Sequence, residues 1–170
     1  MQLVHLCLGI HQAIMSLLER LRNGEVIIGD GSYTVTLEHR GYTLGNAHTP
    51  EATVEHPEAV RALALEFARA GADITQTYTF FSDDQRLKEW HGPDVPSCNE
   101  INQAACNIAK QVAKEKGTLT AGGISMTDVY QTTRNKEKTI AELKTATKVL
   151  IENDIDILIC EYFRNIELIL

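Results

Sequence analysis

Glu25-Val26-Ile27-Ile28-Gly29-Asp30-Gly31 is a short apolar run closed by two glycines around a carboxylate. Three consecutive apolar residues between punctuating ones predict a strand buried on both faces, as in a parallel sheet. Gly29 and Gly31 permit a sharp turn and a close ligand approach. The strand then delivers Asp30 to the lip of a site, where a carboxylate needs water, a cation or hydrogen-bond donors. The plain alternative is a turn in which Asp30 bonds its own backbone.

Working outward, apolar periodicity alternates between the two regular structures. Ile14, Leu17, Leu18 and Leu21 recur at helical spacing from Gln12 to Arg22, with Gly24 as the stop. After Gly31, the run 32–38 leads into a polar loop through Gly41, Gly45 and His48. Thr49-Pro50-Glu51 and His56-Pro57-Glu58 are helix starts, and Val60, Leu63, Ala64 and Phe67 share one face of the helix that Gly71 closes. Residues 73–80, from Asp73 to Phe80, are β-branched and aromatic and predict a strand. A loop carrying Trp90, Gly92, Pro93 and Pro96 follows. Ser97 and Glu100 form a capping box for a helix marked by Ile101, Ala104, Ala105, Ile108 and Val112, ending near Gly117. Residues 119–125 are a third strand whose Gly122-Gly123 pair suits a crowded strand end. Ile140, Leu143, Thr147, Leu150 and Ile151 mark a further helix stopped around Asn153, and residues 156–163 are the fourth strand.

Strand starts near Glu25, Asp73, Leu119 and Asp156, each separated by a helical pattern, give an α/β chain of four βα units with parallel strands and right-handed crossovers. An open doubly wound sheet and half of a (βα)8 barrel both satisfy this order. Asp30, the Phe80/Phe81 pair and Glu161 fall at carboxyl ends of strands, which favours the TIM barrel. Since a complete barrel takes about 250 residues, the 170-residue chain is expected to hold the first four units, a truncated half barrel.

Composition narrows the ligand class. An apolar fraction of 44% supports one ordinary core, and a formal charge of −7 argues against a nucleic-acid backbone or an anionic membrane as the main partner. No segment is long enough to span a bilayer, and the first fifteen residues lack the early positive charge of a secretory signal. Cys7, Cys98, Cys106 and Cys160 lack CxxC spacing, so a reducing, cytoplasmic setting is expected, with Cys160 packed inside an apolar strand. The six histidines show no metal spacing and read as surface or loop residues. No Walker loop and no GxGxxG supports nucleotide binding.

Nine segments in chain order carry a family resemblance. They are 18–21 (Leu-Glu-Arg-Leu), 24–31, 37–42 (Leu-Glu-His-Arg-Gly-Tyr), 49–52, 55–61, 67–71 (Phe-Ala-Arg-Ala-Gly), 76–80 (Gln-Thr-Tyr-Thr-Phe), 121–125 (Ala-Gly-Gly-Ile-Ser) and 161–163 (Glu-Tyr-Phe). Together they resemble the amino-terminal part of the betaine–homocysteine S-methyltransferase family, with residues 17–170 as half of its barrel domain and 1–16 as a divergent extension. The resemblance implies a (βα)8 barrel, homo-oligomeric at full length, that moves a methyl group from a charged donor to homocysteine. It also implies a zinc ion that makes the sulfur a thiolate, held on three cysteines expected beyond Leu170; none of the four cysteines here matches them. Asp30 and Gly31 are then expected at the polar end of homocysteine and Glu161 at its ammonium. Tyr33, Phe80, Phe81, Tyr162 and His48 are expected to face a donor such as betaine, since aromatic faces hold quaternary ammonium groups. His48 stands where the betaine enzymes carry tryptophan and Phe81 where they carry tyrosine. Those departures leave room for a sulfonium donor such as S-methylmethionine, or for a non-catalytic half barrel.

Overall fold

The computed structural model describes residues 17–43 and 49–163. The first predicted helix is present as α1 (Leu17–Arg22); its expected start at Gln12 lies outside the described residues. The predicted first strand is a correction. Residues 25–30 run extended beside the sheet but form no ladder, because side-chain carboxylates stand in for ladder carbonyls. The Ile28 N–H donates to Asp73 Oδ2 at 2.9 Å and the Gln76 N–H to Asp30 Oδ2 at 2.8 Å, while the Asp73 N–H donates to the Ile28 carbonyl at 2.8 Å. Cover is also one-sided: Val26 is 83% and Ile28 54% exposed, and only Ile27 packs, against Ile74, Leu119 and Ala121. Arg20 ties this segment down through Glu25 at 2.8 Å and Asp73 at 2.7 Å. The Ile28 N–H, then Arg20, hold the Asp73 carboxyl below its ordinary range.

Residues 32–38 look β-prone but enter α2 (Tyr33–His39). Ser32 caps it by accepting from the Val35 N–H, and Tyr33 and Leu37, four apart, are both buried. Next come α3 (Ala52–Glu55) and α4 (Pro57–Arg69), with Pro57 in the first turn, where its missing N–H costs nothing. Val60, Leu63 and Ala64 of α4 close one core with Tyr33, Leu37, Tyr78, Ile108 and Val112. Strand β1 (Ile74–Gln76) precedes α5 (Asp84–His91), so Trp90 sits in the last turn of a helix and not in a loop. The capping box at Ser97 and Glu100 starts α6 (Cys98–Lys116), and Gly117, at φ +75°, ends it in the left-handed conformation that glycine adopts without penalty. Strand β2 (Leu119–Ser125), α7 (Asp128–Thr133), α8 (Lys136–Glu152) and β3 (Ile157–Glu161) complete the described order. Helix α7 has no counterpart in the sequence expectation.

The sheet is parallel, in the order β1-β2-β3, so three of the four expected strands are laddered. Ile74 pairs with Leu119, Gly123 with Ile159 and Ser125 with Glu161. Helix α6 packs between α4 and α8 and against β2. The two β2 glycines face opposite ways, as strand alternation requires. A Cβ on Gly122 would stand 2.9 Å from Leu150 of α8, and one on Gly123 2.9 Å from both Gln76 and Glu161. The first absence lets a helix dock; the second makes room for polar side chains. Cys160 is exposed, contrary to the packed reading, because β3 is an edge strand whose alternate residues Leu158 and Cys160 are incompletely covered.

Candidate functional site

Parallel pairing brings the carboxyl ends of the extended segment, β1 and β3 to one rim. A pocket of about 400 Å³ opens there, with Asp30, Tyr33, Gln76, Tyr78, Phe80 and Glu161 in its wall. The acids predicted from the sequence therefore converge. Gln76 joins them: its backbone N–H donates to Asp30 Oδ2 at 2.8 Å, and its side-chain Nε2 donates to Glu161 Oε2 at 2.9 Å. Sequence reading missed Gln76; the available signal was a long amide ending a strand otherwise rich in β-branched residues.

Burial pushes the Asp30 carboxyl above its ordinary range, partly offset by the donors Gln76 N–H and Tyr33 hydroxyl. Glu161 is likewise raised by burial, relieved by Gln76 and raised again by the charge of Asp30. Two carboxylates with residual demand for positive charge thus share one pocket, and the donors they meet are neutral: the Gln76 backbone N–H and Tyr33 hydroxyl for Asp30, the Gln76 side-chain amide for Glu161. An ammonium ion answers that demand through charge-assisted hydrogen bonds.

The aromatic residues divide. The Tyr33 hydroxyl donates to Asp30 at 2.8 Å, while its ring stacks on Tyr78 at 5.4 Å and meets Phe67 edge-on at 5.5 Å. Its faces are used inside the core, so it positions Asp30. Gly31 fits because a Cβ there would lie 2.6 Å from the Phe67 ring. Phe80 lines the pocket, whereas Phe81 does not. The Arg86 guanidinium carbon stands 3.9 Å over the Phe81 ring centroid and 5.3 Å from that of Trp90, and its Nε stands 3.5 Å from Asp83 Oδ2. Phe81 and Arg86 are only 6% and 3% exposed, so this cation covers a face that the family resemblance assigns to a donor. Tyr162 meets Phe81 edge-on at 5.7 Å and is half exposed. Both have positive φ, 60° each, a conformation non-glycine residues adopt only when packing holds them. His48 lies outside the described residues. His91, predicted as a surface or loop residue, is partly buried with Nδ1 3.5 Å from Glu51.

Threonines build the floor. The Gly123 N–H donates to Thr77 Oγ1 at 3.0 Å, and the Thr79 hydroxyl donates to the Gly123 carbonyl at 2.8 Å. These bonds continue the β1–β2 connection past the end of the ladder and fix Gly123 beneath Gln76 and Glu161.

The donor set does not fit a zinc ion: among the described residues no group of three or more His, Cys, Asp or Glu side chains is placed to hold a metal. Cys98 and Cys106 are buried and their thiols are pushed up to about 11, which keeps them protonated.

The comparisons with known proteins meet this geometry. Betaine–homocysteine S-methyltransferase 1 of Xenopus tropicalis is 46% identical over 154 residues, covering 89% of this chain and 38% of that protein. The protein of the same name in Danio rerio is 44% identical over 150 residues (88% and 38%), and that of Sus scrofa 42% over 161 residues (94% and 58%). The chain thus spans only about two-fifths to three-fifths of the curated relatives it matches. The crystal structure of the homocysteine methyltransferase MmuM from Escherichia coli, in its metallated form, aligns with a TM-score of 0.72 at 20% identity, over 89% of this chain and 59% of that one, and shows a shared fold. A family model described as homocysteine S-methyltransferase matches residues 27–169, a span that contains the whole cluster from Asp30 through Gln76 to Glu161. On that match the chain belongs to the homocysteine S-methyltransferase family.

Proposed function

We propose that the chain is the amino-terminal half of a (βα)8 homocysteine methyltransferase and forms its amino-acid grip. One observation carries the reading: two raised carboxylates, Asp30 and Glu161, share Gln76 at the carboxyl rim of a parallel sheet. In their ionised forms they hold the homocysteine ammonium, and Gln76 sets their separation. Gly31 and Gly123 leave the space that a side chain would fill.

The methyl donor in this reading is betaine, held against Phe80 and Tyr162. Tyr33 and Phe81 support the site from behind. A sulfonium donor such as S-methylmethionine is the second reading, left open because Phe81 stands where the betaine enzymes carry tyrosine and its ring is covered by the Arg86 guanidinium, so it offers betaine neither a hydroxyl nor that face. The zinc implied by the family resemblance is assigned to cysteines past Leu170, so the 170-residue chain binds homocysteine without forming methionine.

Calorimetry with homocysteine tests the grip directly. The chain is expected to bind one equivalent, and Glu161→Gln and Asp30→Asn each to weaken binding by about tenfold or more. Unchanged affinity in both folded variants overturns the assignment. Methionine formed by a full-length counterpart with betaine or S-methylmethionine, measured by mass spectrometry, decides the donor.

A further inference from the structure

A second cavity, of about 200 Å³, lies behind the amino-acid pocket, where β2 meets α8 and the start of α5. Thr79 and Gly123 line it, and a Cβ on Gly123 would reach Gln76 and Glu161 of the amino-acid pocket. Its other walls combine apolar Phe81, Ile124 and Leu143 with the acids Asp83, Asp84 and Glu142, and among the described residues no lysine, arginine or histidine lines it. The acids are not equally committed. Asp83 caps α5 and meets Arg86 at 3.5 Å, and Asp84 accepts the Cys98 N–H at 2.7 Å. Glu142 Oε2 is buried with no hydrogen-bond partner among the described residues.

Thr127 supplies an independent observation. It is 4% exposed and occupies the N-cap position of α7, yet its hydroxyl does not cap that helix and has no hydrogen-bond partner among the described residues. A buried threonine hydroxyl without a partner is costly. Because Thr127 lines the cavity, a ligand there satisfies it.

We propose that this cavity binds a small primary ammonium compound with a short carbon chain, its ammonium between Glu142 and Thr127 and its carbons against Ile124 and Leu143. At roughly 30 Å³ per water-sized group, the volume admits about five to seven non-hydrogen atoms, too few for a nucleotide or a flavin. A multivalent metal is disfavoured because among the described residues no three His, Cys, Asp or Glu side chains converge for one. Thiol modification is disfavoured as well, since burial pushes the Cys98 thiol at the cavity wall up to about 11.

The test is calorimetry of the purified chain with n-butylammonium chloride, and with 1-butanol as its neutral counterpart. Saturable binding of the amine in this cavity is expected, at least about tenfold weaker in Glu142→Gln and several-fold weaker in Thr127→Val. The titrations are made in the Asp30→Asn/Glu161→Gln background, which removes the ammonium grip of the amino-acid pocket and leaves this cavity as the one expected site. Equal binding of amine and alcohol, no saturable binding in that background, or unchanged affinity on adding Glu142→Gln to it each overturns the proposal. Glu142 is half-buried on an outer helix and its replacement is isosteric, so a folded variant is expected and thermal unfolding verifies it.

Discussion

Replacing Gly123 by alanine isolates the geometry on which the amino-acid pocket depends. The new methyl carbon would stand 2.9 Å from Gln76 Nε2, 2.9 Å from Glu161 Oε2 and 3.3 Å from Thr79 Oγ1. Gly123 takes no positive φ, so the perturbation is steric and not conformational. Overpacking of this kind costs about 1–3 kcal/mol, and the lower end applies where the neighbour is the tip of a flexible side chain such as Glu161. Relief comes by separating Gln76 from Glu161, and the hydrogen bond lost involves a charged group, worth about 1.5–3 kcal/mol. Carried into ligand binding, that displacement corresponds to about a ten- to hundredfold loss of homocysteine affinity, with Tm lower by only about 2–4 °C. Gly122→Ala is the control. Its methyl would stand 2.9 Å from Leu150, which is fully buried, so it destabilises the docking of α8 and spares the pocket. Calorimetry and thermal unfolding of both variants decide the matter. A folded Gly123→Ala chain with wild-type affinity, or a Gly122→Ala chain with the greater affinity loss, refutes the reasoning.

Three further outcomes are expected. Burial raises both Asp30 and Glu161, so the folded chain holds those protons more tightly than the unfolded chain. Their contribution to stability is therefore fully present below the unfolded carboxylate pKa near ~4 and is lost as pH rises through the raised folded values. Homocysteine affinity rises over the same window, and Asp30→Asn with Glu161→Gln flattens both profiles; an unchanged slope of Tm against pH in the double variant counts against it. Asp73 has the opposite sign, since the Ile28 N–H and Arg20 hold it low: its contribution is present above the unfolded pKa and lost as pH falls through the folded value. Asp73→Asn is expected to lower Tm at neutral pH and speed amide exchange at Ile28, and unchanged exchange there argues against the docking role. Ser97→Ala removes half of the α6 capping box and is expected to cost about 1 kcal/mol, or about 2–4 °C in Tm; a shift within error would mean that the box is not holding α6.

How much was legible follows the range of the forces involved. Helix α6 announced itself through local chemistry: Ser97 and Glu100 at its start, Gly117 at its end and an apolar face between, each acting within a few residues. The extended segment 25–30 did not, because whether Ile28 joins a ladder depends on Asp73, and a carboxylate there takes the N–H that a carbonyl would otherwise accept. Helix α2 went unassigned in residues 32–38 because the Tyr33–Leu37 pair buries against α4, which no local propensity records. Cys160 illustrates the same point on the sheet: an apolar neighbourhood in sequence says nothing of which strand face is covered.

The site obeys the same division. Asp30 and Glu161 were visible because each carboxylate follows an apolar run, and parallel strands bring such ends together whatever lies between them in the chain. Gln76 and Thr127 were not visible. Their importance rests on register and on what their polar atoms meet, and neither quantity is local. The Arg86–Phe81 stack adds a further lesson about aromatic residues near a strand end. The family resemblance implies a donor role for Phe81, but a guanidinium only five residues later already lies 3.9 Å above its ring. An aromatic face already covered by a cation of the fold is closed to a cationic ligand, so a ring's place at a strand end does not by itself make it a donor contact.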